Sequence, residues 1–300
     1  MNELNRFKKE IDLRAFAASY GFAIDRRRTC ANSCKMRDAS GYQIVIAKDE
    51  NSKDYIYFSI NNAVDSGTII DFLQNREVKG WREIGDTLRG FMGLPLPDEI
   101  ASYGKLKASK KDIQQAVLDY EKAEWATAAP YLVSRGIPAA FTGSHRFKNC
   151  FKIDRRGNVL FPHYNRSGLS GFEKKNYNFT GFASGGVKGV WSSICYKADT
   201  VLVITESAID AFSYQVLNLE LTSARFLSIG GSMNPDQLEL LTLAMKKMKD
   251  GEIRLALDND PDGEKMTDQV RGLAPKGTRI TRPLPISKDW NQDLKNKLGL

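Results

Sequence analysis

Three short apolar runs between residues 201 and 273 constrain the fold more than any other feature of the sequence. The runs are VLVIT, FLSI and IRLAL, and each ends in acids or glycines, where a strand gives way to a loop. Glu206 follows the first run, Gly230 and Gly231 the second, and Asp258 and Asp260 the third. Helical patterns lie between the runs, so the segment predicts right-handed crossovers that build a mainly parallel α/β sheet flanked by helices.

The acidic residues fall where the strands of this predicted sheet end. Ligands of such sheets gather at the carboxyl ends of the strands. Asp258 and Asp260 are two residues apart in extended chain and point to the same side. Asp210 lies one helical turn beyond Glu206, on the same face. Because Mg²⁺ binds one or two carboxylates and keeps several waters, the pattern predicts a site with room for two metal ions.

Two other interpretations of the DNDPDG segment remain open from the residues alone. Acid-rich loops after strands are common turn chemistry, and their side chains are often only solvated. The segment also fits the start of a calcium loop through Asp258, Asp260, Asp262 and Gly263. A calcium loop is disfavoured because its twelfth position is Gln269 in place of glutamate and because a strand precedes it.

The ordered set of acids and glycines resembles the Toprim domain shared by bacterial primases, topoisomerases and some nucleases. KDWNQDL at residues 288–294 is similar to the tail that follows Toprim in phage and plasmid primase-helicases. The resemblance implies a Toprim domain over residues 200–300 that uses Mg²⁺ or Mn²⁺. It implies catalytic roles for Glu206, Asp258 and Asp260, and metal binding by Glu206, Asp210, Asp258, Asp260 and Asp289. Asn291 is expected to orient Asp289.

Residues 1–98 are predicted to form a small α+β module, with a helix over residues 3–20, a hairpin of YQIVIA and YIYFSI, and two further helices. This layout resembles the zinc-ribbon module at the front of bacterial primases. Cys30 and Cys34 have the spacing of one zinc knuckle, but no second Cys or His pair occurs before His145. We therefore interpret the module as a degenerate ribbon without zinc, in which Cys30 is a packed thiol.

Residues 99–125 are predicted to be a linker and helix, and residues 126–199 a basic α+β subdomain. YLVSRGIPAAF and NVLFPHYNRSGLSGFEKKN in the latter resemble the N-terminal part of the primase catalytic core. The resemblance implies that basic residues there contact template or nucleotide, namely Arg166, Lys174, Lys175 and Lys188. Aromatic residues alternate with them, and we interpret these as core packing, with base stacking as the alternative.

The net charge of +8 is concentrated in the middle of the chain. Residues 99–199 carry 16 basic and 8 acidic side chains, whereas residues 1–98 carry 15 and 14, and residues 200–300 carry 13 and 14. A polyanionic substrate beside an acidic metal site requires such a local excess, and a solubilising surface is the alternative. Four scattered cysteines and the absence of a membrane-length apolar run predict a cytoplasmic protein without a membrane partner.

The resemblance implies a primase-like nucleotidyltransferase that makes primers on single-stranded DNA from nucleoside triphosphates. A Toprim nuclease and a non-catalytic nucleic-acid-binding protein are the alternatives. The sequence has no Walker A motif and no helicase-docking region after Leu300, which favours a stand-alone enzyme of plasmids, phages or other mobile elements. A replicative helicase or plasmid-transfer proteins are further candidate partners.

Overall fold

The structure is a computed structural model that describes residues 3–50, 52–62, 65–77, 80–108, 111–177, 179–231, 233–248 and 251–300. It divides into two compact units, Met1–Lys110 and Lys111–Leu300. The predicted boundaries at residues 98, 125 and 199 stay predictions. No helix among the described residues is long and apolar enough to cross a membrane.

The first unit is an antiparallel sheet with helices around it. Its helices are α1 (Glu3–Glu10), α2 (Leu13–Ser19), α3 (Ile69–Arg76), α4 (Trp81–Phe91) and α5 (Asp98–Ser102). Its strands are β1 (Ala23–Ile24), β2 (Ser33–Arg37), β3 (Gln43–Lys48), β4 (Tyr55–Ser59) and β5 (Ser66–Thr68), paired in chain order. The β3–β4 hairpin agrees with the predicted one, with Val45 opposite Phe58.

Two details of this unit differ from the sequence prediction. The single helix predicted over residues 3–20 is broken into α1 and α2, because Asp12 accepts a hydrogen bond from the backbone N–H of Arg14 and pairs with its buried guanidinium at 2.6 Å. An N-capping aspartate starts a new helix at this point. The packed thiol is Cys34, which is buried in the sheet, whereas Cys30 is exposed, so the prediction for Cys30 is wrong.

The second unit begins with a second antiparallel sheet. It contains α6 (Ile113–Glu121), β6 (Glu124–Trp125), α7 (Pro130–Ser134), α8 (Ala139–Thr142), β7 (Lys152–Ile153), β8 (Val159–Asn165), β9 (Gly168–Asn176) and β10 (Phe179–Phe182). The strand order is β10-β9-β8-β7-β6, and all neighbours are antiparallel. Ala116 and Tyr120 of α6 pack against Leu160 and Phe172, so this helix covers one face of the sheet.

The rest of the second unit is a mainly parallel sheet between two helical layers. Its elements are β11 (Trp191–Ser192), β12 (Val201–Thr205), α9 (Ala208–Leu217), β13 (Ala224–Ser228), α10 (Pro235–Lys246), β14 (Glu252–Ala256), α11 (Pro261–Arg271), β15 (Arg279–Thr281) and α12 (Trp290–Leu298). The order is β11-β13-β12-β14-β15, and β11 alone among these strands is antiparallel to its neighbour. The predicted α/β fold is therefore confirmed.

Alternation along the parallel strands separates two cores. Val203 on β12 faces the layer of α9 and α12, where Phe212 packs against Phe147 at 4.8 Å between ring centroids. Leu202 and Ile204 face the opposite layer of α10 and α11. Truncation of a buried phenylalanine such as Phe212 costs about 3–5 kcal/mol of folding free energy. The aromatic core thus fixes α9, which carries Asp210, against the sheet.

Candidate metal-binding active site

The three central parallel strands end at the same level of the sheet. Thr205, the last residue of β12, pairs with Ser228 at the end of β13 and with Ala256 at the end of β14. Glu206 and Asp258 therefore leave the sheet beside each other, because β12 and β14 are neighbouring parallel strands. The glycine loop after β13 adjoins them, because the N–H of Gly231 donates to the carbonyl of Glu206 at 3.0 Å.

Asp258 is the most perturbed carboxylate of this edge. It is 8% exposed, and its Oδ1 is buried without a hydrogen-bond partner among the residues that the structure describes. Burial, together with the charges of four other acids, raises the pKa of Asp258 to about 9. Those acids are Glu206, Asp210, Asp289 and Asp260. We call these five residues the acidic cluster, because an ionised Asp258 feels the negative charge of every other member.

Asp210 is held in place from two sides. The hydroxyl of Ser207 caps α9 by accepting from the backbone N–H of Asp210 and donates to its Oδ2 at 2.5 Å. The backbone N–H of Asn291 donates to Oδ1 at 3.3 Å. Burial and the nearby Asp289 raise the pKa of Asp210 to about 6. Asp210 is therefore a fixed and partly protonated member of the cluster near neutral pH when no cation is bound.

Asp260 and Asp289 each combine a local structural role with membership of the cluster. The Oδ1 of Asp260 caps α11 by accepting from the N–H of Gly263 at 2.9 Å. The Oδ1 of Asp289 caps α12 by accepting from the N–H of Gln292 at 2.7 Å. One oxygen of Asp260 therefore has the turn-forming role that was one interpretation of DNDPDG. The other oxygen of Asp260, Oδ2, lies 3.4 Å from the ammonium of Lys288.

The cluster fits a hard divalent cation in an open site. Within the described residues, no three Asp, Glu, His or Cys side chains converge closely enough to hold a metal ion by themselves. Mg²⁺ takes one or two carboxylates and completes its shell with waters and substrate phosphates. The partnerless buried oxygen of Asp258 supplies one such ligand, and the cation would relieve the repulsion among the acids.

The KDWNQDL segment braces the site from α12. The indole N–H of Trp290 donates to the carbonyl of Ala256 at 3.0 Å, and the N–H of Asn259 donates to the carbonyl of Lys288 at 2.8 Å. The side-chain amide of Asn291 donates to Ser213 at 2.9 Å and to the carbonyl of Arg135 at 2.8 Å. Asn291 thus holds Asp210 and α9, rather than Asp289 as expected from the sequence.

Replacement of Asn291 by alanine is expected to destabilise the protein by about 2 kcal/mol, because it leaves buried partners without their hydrogen bonds. Asn296 is the matched control, since it lies on the same helix and is exposed, and its side chain donates to Ser287 at 2.9 Å and accepts from Gln292 at 2.8 Å. Asn296→Ala is expected to change stability by less than about 0.5 kcal/mol. Urea denaturation measures both, and equal losses would contradict the bracing role of Asn291.

Arg282 is a supporting residue that the sequence did not indicate. Its guanidinium donates to the carbonyls of Leu257 at 2.7 Å and Asp258 at 2.8 Å. These bonds satisfy the backbone at the end of β14, where no strand continues to pair with it. Arg282 therefore fixes the direction in which Asp258 leaves the sheet. The sequence around Arg282, which stands between Thr281 and Pro283, contains no pattern that indicates this role.

Lys175 on β9 brings positive charge to the acidic cluster. Its ammonium lies 3.5 Å from Glu173, and its charge acts on Asp210.

His163 on β8 is also part of this region, and its role was not predicted from the sequence. Its ring is fully buried, and a Cβ on Gly230 would lie 2.7 Å from its Cε1. Gly230, at φ +66°, is therefore required for this close approach.

The protonation of His163 follows from its partners. Nδ1 lies 2.6 Å from the carbonyl of Gly189 and therefore carries the proton. Burial lowers the pKa of His163 to about 4, so the ring is neutral at physiological pH. Nε2 has no hydrogen-bond partner and is buried, as is Oε2 of Glu173. The alternation of Phe161 and His163 on β8 was the only sequence signal that His163 faces inward.

The other predicted nucleic-acid contacts are dispersed. Arg166 lies at the β8–β9 turn and pairs with Glu239 at 2.7 Å. Lys188 acts electrostatically on His163. Lys174 points away from Lys175, because neighbouring residues of a strand face opposite sides of the sheet. Of the four predicted residues, Lys175 is the one whose charge reaches Asp210.

Comparisons with known proteins bear on both parts of the second unit. Residues 203–294 match a family model described as Toprim-like, and residues 130–199 match a family described as a protein of unknown function, DUF3991. No curated protein matches the chain.

Two solved structures from bacteriophage T7 are similar to the chain. The primase fragment of the T7 primase-helicase is 16% identical, with 60% of this chain and 73% of that chain covered at a TM-score of 0.40. The second structure shows the T7 lagging-strand DNA polymerase interacting with primase domains that are bound to an RNA/DNA hybrid and dTTP. The matching chain in it is 15% identical, with 59% of this chain and 87% of that chain covered at a TM-score of 0.38.

The matched Toprim-like region includes every member of the acidic cluster, and its parallel sheet has the strand order described above. The α/β architecture and the family match therefore agree on the same segment of the chain. We conclude that this protein contains a Toprim-like domain over residues 203–294, with the acidic cluster at the ends of its central strands.

Proposed function

We propose that the acidic cluster is the active site of a primase-like nucleotidyltransferase that uses Mg²⁺ or Mn²⁺. The observation that carries this proposal is the buried, partnerless Oδ1 of Asp258 surrounded by four further carboxylates. A protein interior holds such an arrangement at a cost in stability unless a cation offsets it. Perturbed carboxylates at a strand end of an α/β sheet are typical of a functional site.

The residues divide into metal ligands and supporting groups. Asp258 and Asp260 are the proposed principal ligands, Glu206 completes the catalytic set, and Asp210 and Asp289 are auxiliary acids. A bound divalent cation supplies charge stabilisation to a phosphoryl group in transfer. The protein itself positions the ligands: α11 and α12 fix Asp260 and Asp289 through their caps, and Asn291 fixes Asp210.

The substrate proposal rests on charge. Lys175 supplies an ammonium beside the acids, where it would bind a nucleotide phosphate. The basic excess of residues 99–199 suits a polyanion such as single-stranded DNA. We therefore propose template DNA and nucleoside triphosphates as substrates, with roles for Arg166, Lys174 and Lys188 along the strand. Replication or transfer of a plasmid, phage or other mobile element, together with a helicase or transfer proteins, is the proposed setting.

The two neighbouring lysines of β9 give a matched test. Lys175→Ala is expected to lower kcat for nucleotide incorporation by about 10²-fold, because a positioned charge beside the reacting phosphate is lost. Lys175→Arg is expected to retain part of the rate. Lys174→Ala is expected to leave kcat at saturating DNA unchanged, since its side chain faces the other side of the sheet. Steady-state kinetics with labelled nucleotides separates these outcomes, and equal losses for Lys174 and Lys175 would contradict the placement.

The proposed activity is tested by incubating the protein with single-stranded DNA, Mg²⁺ or Mn²⁺ and labelled nucleoside triphosphates, and by resolving the products on a sequencing gel. We expect short labelled oligomers that are absent with Asp258→Ala. Shortened DNA without labelled products would replace the proposal by a nuclease. Unchanged DNA together with intact DNA binding would indicate a non-catalytic nucleic-acid-binding protein.

A further inference from the structure

A pocket lined by charged and aromatic side chains lies on the face of the β6–β10 sheet that is turned away from Lys175. Leu160, Phe172 and Lys174 line it, whereas the alternate residues Val159 and Phe161 lie in the core that contains Phe212. The pocket has a volume of about 530 Å³ and is closed on one side by the end of α6. We call it the outer pocket. Nothing in the acidic cluster contributes to its walls.

The outer pocket carries four cations and two carboxylates. The cations are Lys122, Arg155, Arg156 and Lys174, and the carboxylates are Asp119 and Asp154. Both carboxylates are already engaged. Asp119 accepts from Lys122 at 2.8 Å and from Gln115 at 2.9 Å, and Asp154 accepts from the backbone N–H groups of Arg156 and Asn158, each at 2.9 Å.

The two arginines of the outer pocket differ from its carboxylates in having no ionic partner. Arg155 and Arg156 are exposed at the turn between β7 and β8, and their side chains form no ion pair with any residue that the structure describes. Their guanidinium groups present donors in the planar geometry that matches phosphate oxygens. The pocket therefore offers an uncompensated positive charge to an anion without needing a metal ion.

An aromatic wall stands beside these cations. Phe172 forms the buried floor at 1% exposure, and the ammonium of Lys174 lies 5.2 Å from its ring centroid. Phe179 is 51% exposed on the rim. Its ring folds back over Gly181, where a Cβ would lie 2.8 Å from the Cζ of Phe179. The missing side chain at Gly181 therefore leaves room for the ring of Phe179 to lie over its own strand at the rim of the pocket.

Phosphate-binding cations next to an exposed aromatic ring are the combination by which proteins bind single-stranded nucleic acid without sequence preference. We propose that the outer pocket binds one segment of a single strand, with a phosphate at Arg155 and Arg156 and a base stacked on Phe179. This site goes beyond the proposed catalytic function, because it lies on the other face of the sheet and is independent of metal. It would hold a strand while the acidic cluster acts elsewhere.

The test measures binding of a fluorescent single-stranded oligonucleotide by anisotropy in EDTA, over a range of salt concentrations. The double variant Arg155→Ala/Arg156→Ala is expected to bind about tenfold more weakly at physiological salt and to lower the slope of log K against log salt by about 0.7, for one lost phosphate contact. Lys276→Ala/Lys297→Ala removes the same charge from exposed positions outside the pocket and is expected to keep the wild-type slope.

Phe179→Ala tests the stacking contact separately. It is expected to weaken binding about tenfold with a normal oligonucleotide and to have no effect with an abasic one. Equal affinity of the arginine variant and its control, or equal loss of Phe179→Ala on both oligonucleotides, would overturn the proposal. Lost affinity for ATP with unchanged affinity for DNA would overturn it in favour of a free-nucleotide site. Because binding is measured in EDTA and repeated with Asp258→Asn, the result does not depend on catalysis.

Discussion

Asp258→Asn is expected to lower metal-dependent nucleotide incorporation by at least about 10³-fold and, at the same time, to raise the melting temperature of the metal-free protein. The activity falls because an amide is a poor ligand for Mg²⁺ and because removal of even one group that stabilises transition-state charge costs about 10²–10³-fold. The stability rises because the variant no longer buries an ionisable carboxyl among four others. About 2 kcal/mol of added stability corresponds to roughly 5 °C.

The raised pKa of Asp258 determines how the stability of the metal-free protein changes with pH. This pKa is about 9 in the folded protein, whereas that of an ordinary carboxyl is about 4. Between these two values the folded state binds a proton that the unfolded state releases. The free energy of unfolding of the metal-free wild type therefore falls as the pH rises through this window. Asp258→Asn is expected to show a flatter profile by calorimetry from pH 5 to pH 8.

Asp262→Asn is the matched control for this experiment. Asp262 lies in the same segment but is not among the four acids that raise the pKa of Asp258 most, and a calcium loop would require it as a ligand. The control is expected to retain activity, metal-induced stabilisation and the pH profile of the wild type. If Asp262→Asn and Asp258→Asn had the same effects, the segment would function as a calcium loop and the assignment of Asp258 would be wrong.

Gly263→Ala is the second change with a large expected effect. A Cβ at Gly263 would lie far inside van der Waals contact with the carbonyl oxygen of Asp258, and backbone atoms cannot move aside without shifting the acid. The substitution is expected to cost about 3 kcal/mol, at the upper end for overpacking, and to lower activity by about 10²-fold. Denaturation and kinetics of the same preparations measure both losses.

Gly272 offers the corresponding control at the other end of α11. A Cβ there would make contacts no closer than 3.5 Å, at a helical backbone conformation. Gly272→Ala is therefore expected to be neutral or to stabilise by up to about 1 kcal/mol. Comparable losses of activity in both variants would mean that α11 tolerates no added methyl group and that the contact with Asp258 has no special importance.

Local sequence patterns were sufficient for the parallel sheet and for the acids at its edge. Apolar runs that end in Glu206 or Asp258 identify strand ends. In a parallel sheet these ends lie at the same edge, independently of the conformation of the loops. The helix start at Asn234 is likewise determined locally, because its capping box with Gln237 lies within four residues. These features depend on contacts that are near in sequence or are fixed by topology.

Features that depend on long-range side-chain packing were not predictable. Asn291 was assigned to the nearby Asp289, but the fold places it against Asp210, 81 residues away. Lys174 and Lys175 face opposite sides of their strand, but only the pairing of β8 with β9 decides which of the two faces the acidic cluster. The roles of His163 and Arg282 were not predicted, because their partners are backbone groups that the sequence does not mark.

Metal binding itself is the most direct test of the central claim that Asp258 belongs to a divalent-cation site. Titration with Mn²⁺ followed by electron paramagnetic resonance reports bound ions without requiring DNA, nucleotide or turnover. We expect the wild type and Asp262→Asn to bind Mn²⁺ alike, Mg²⁺ to compete for the site, and Asp258→Asn to lose this binding. Undiminished Mn²⁺ binding by Asp258→Asn would contradict the central claim.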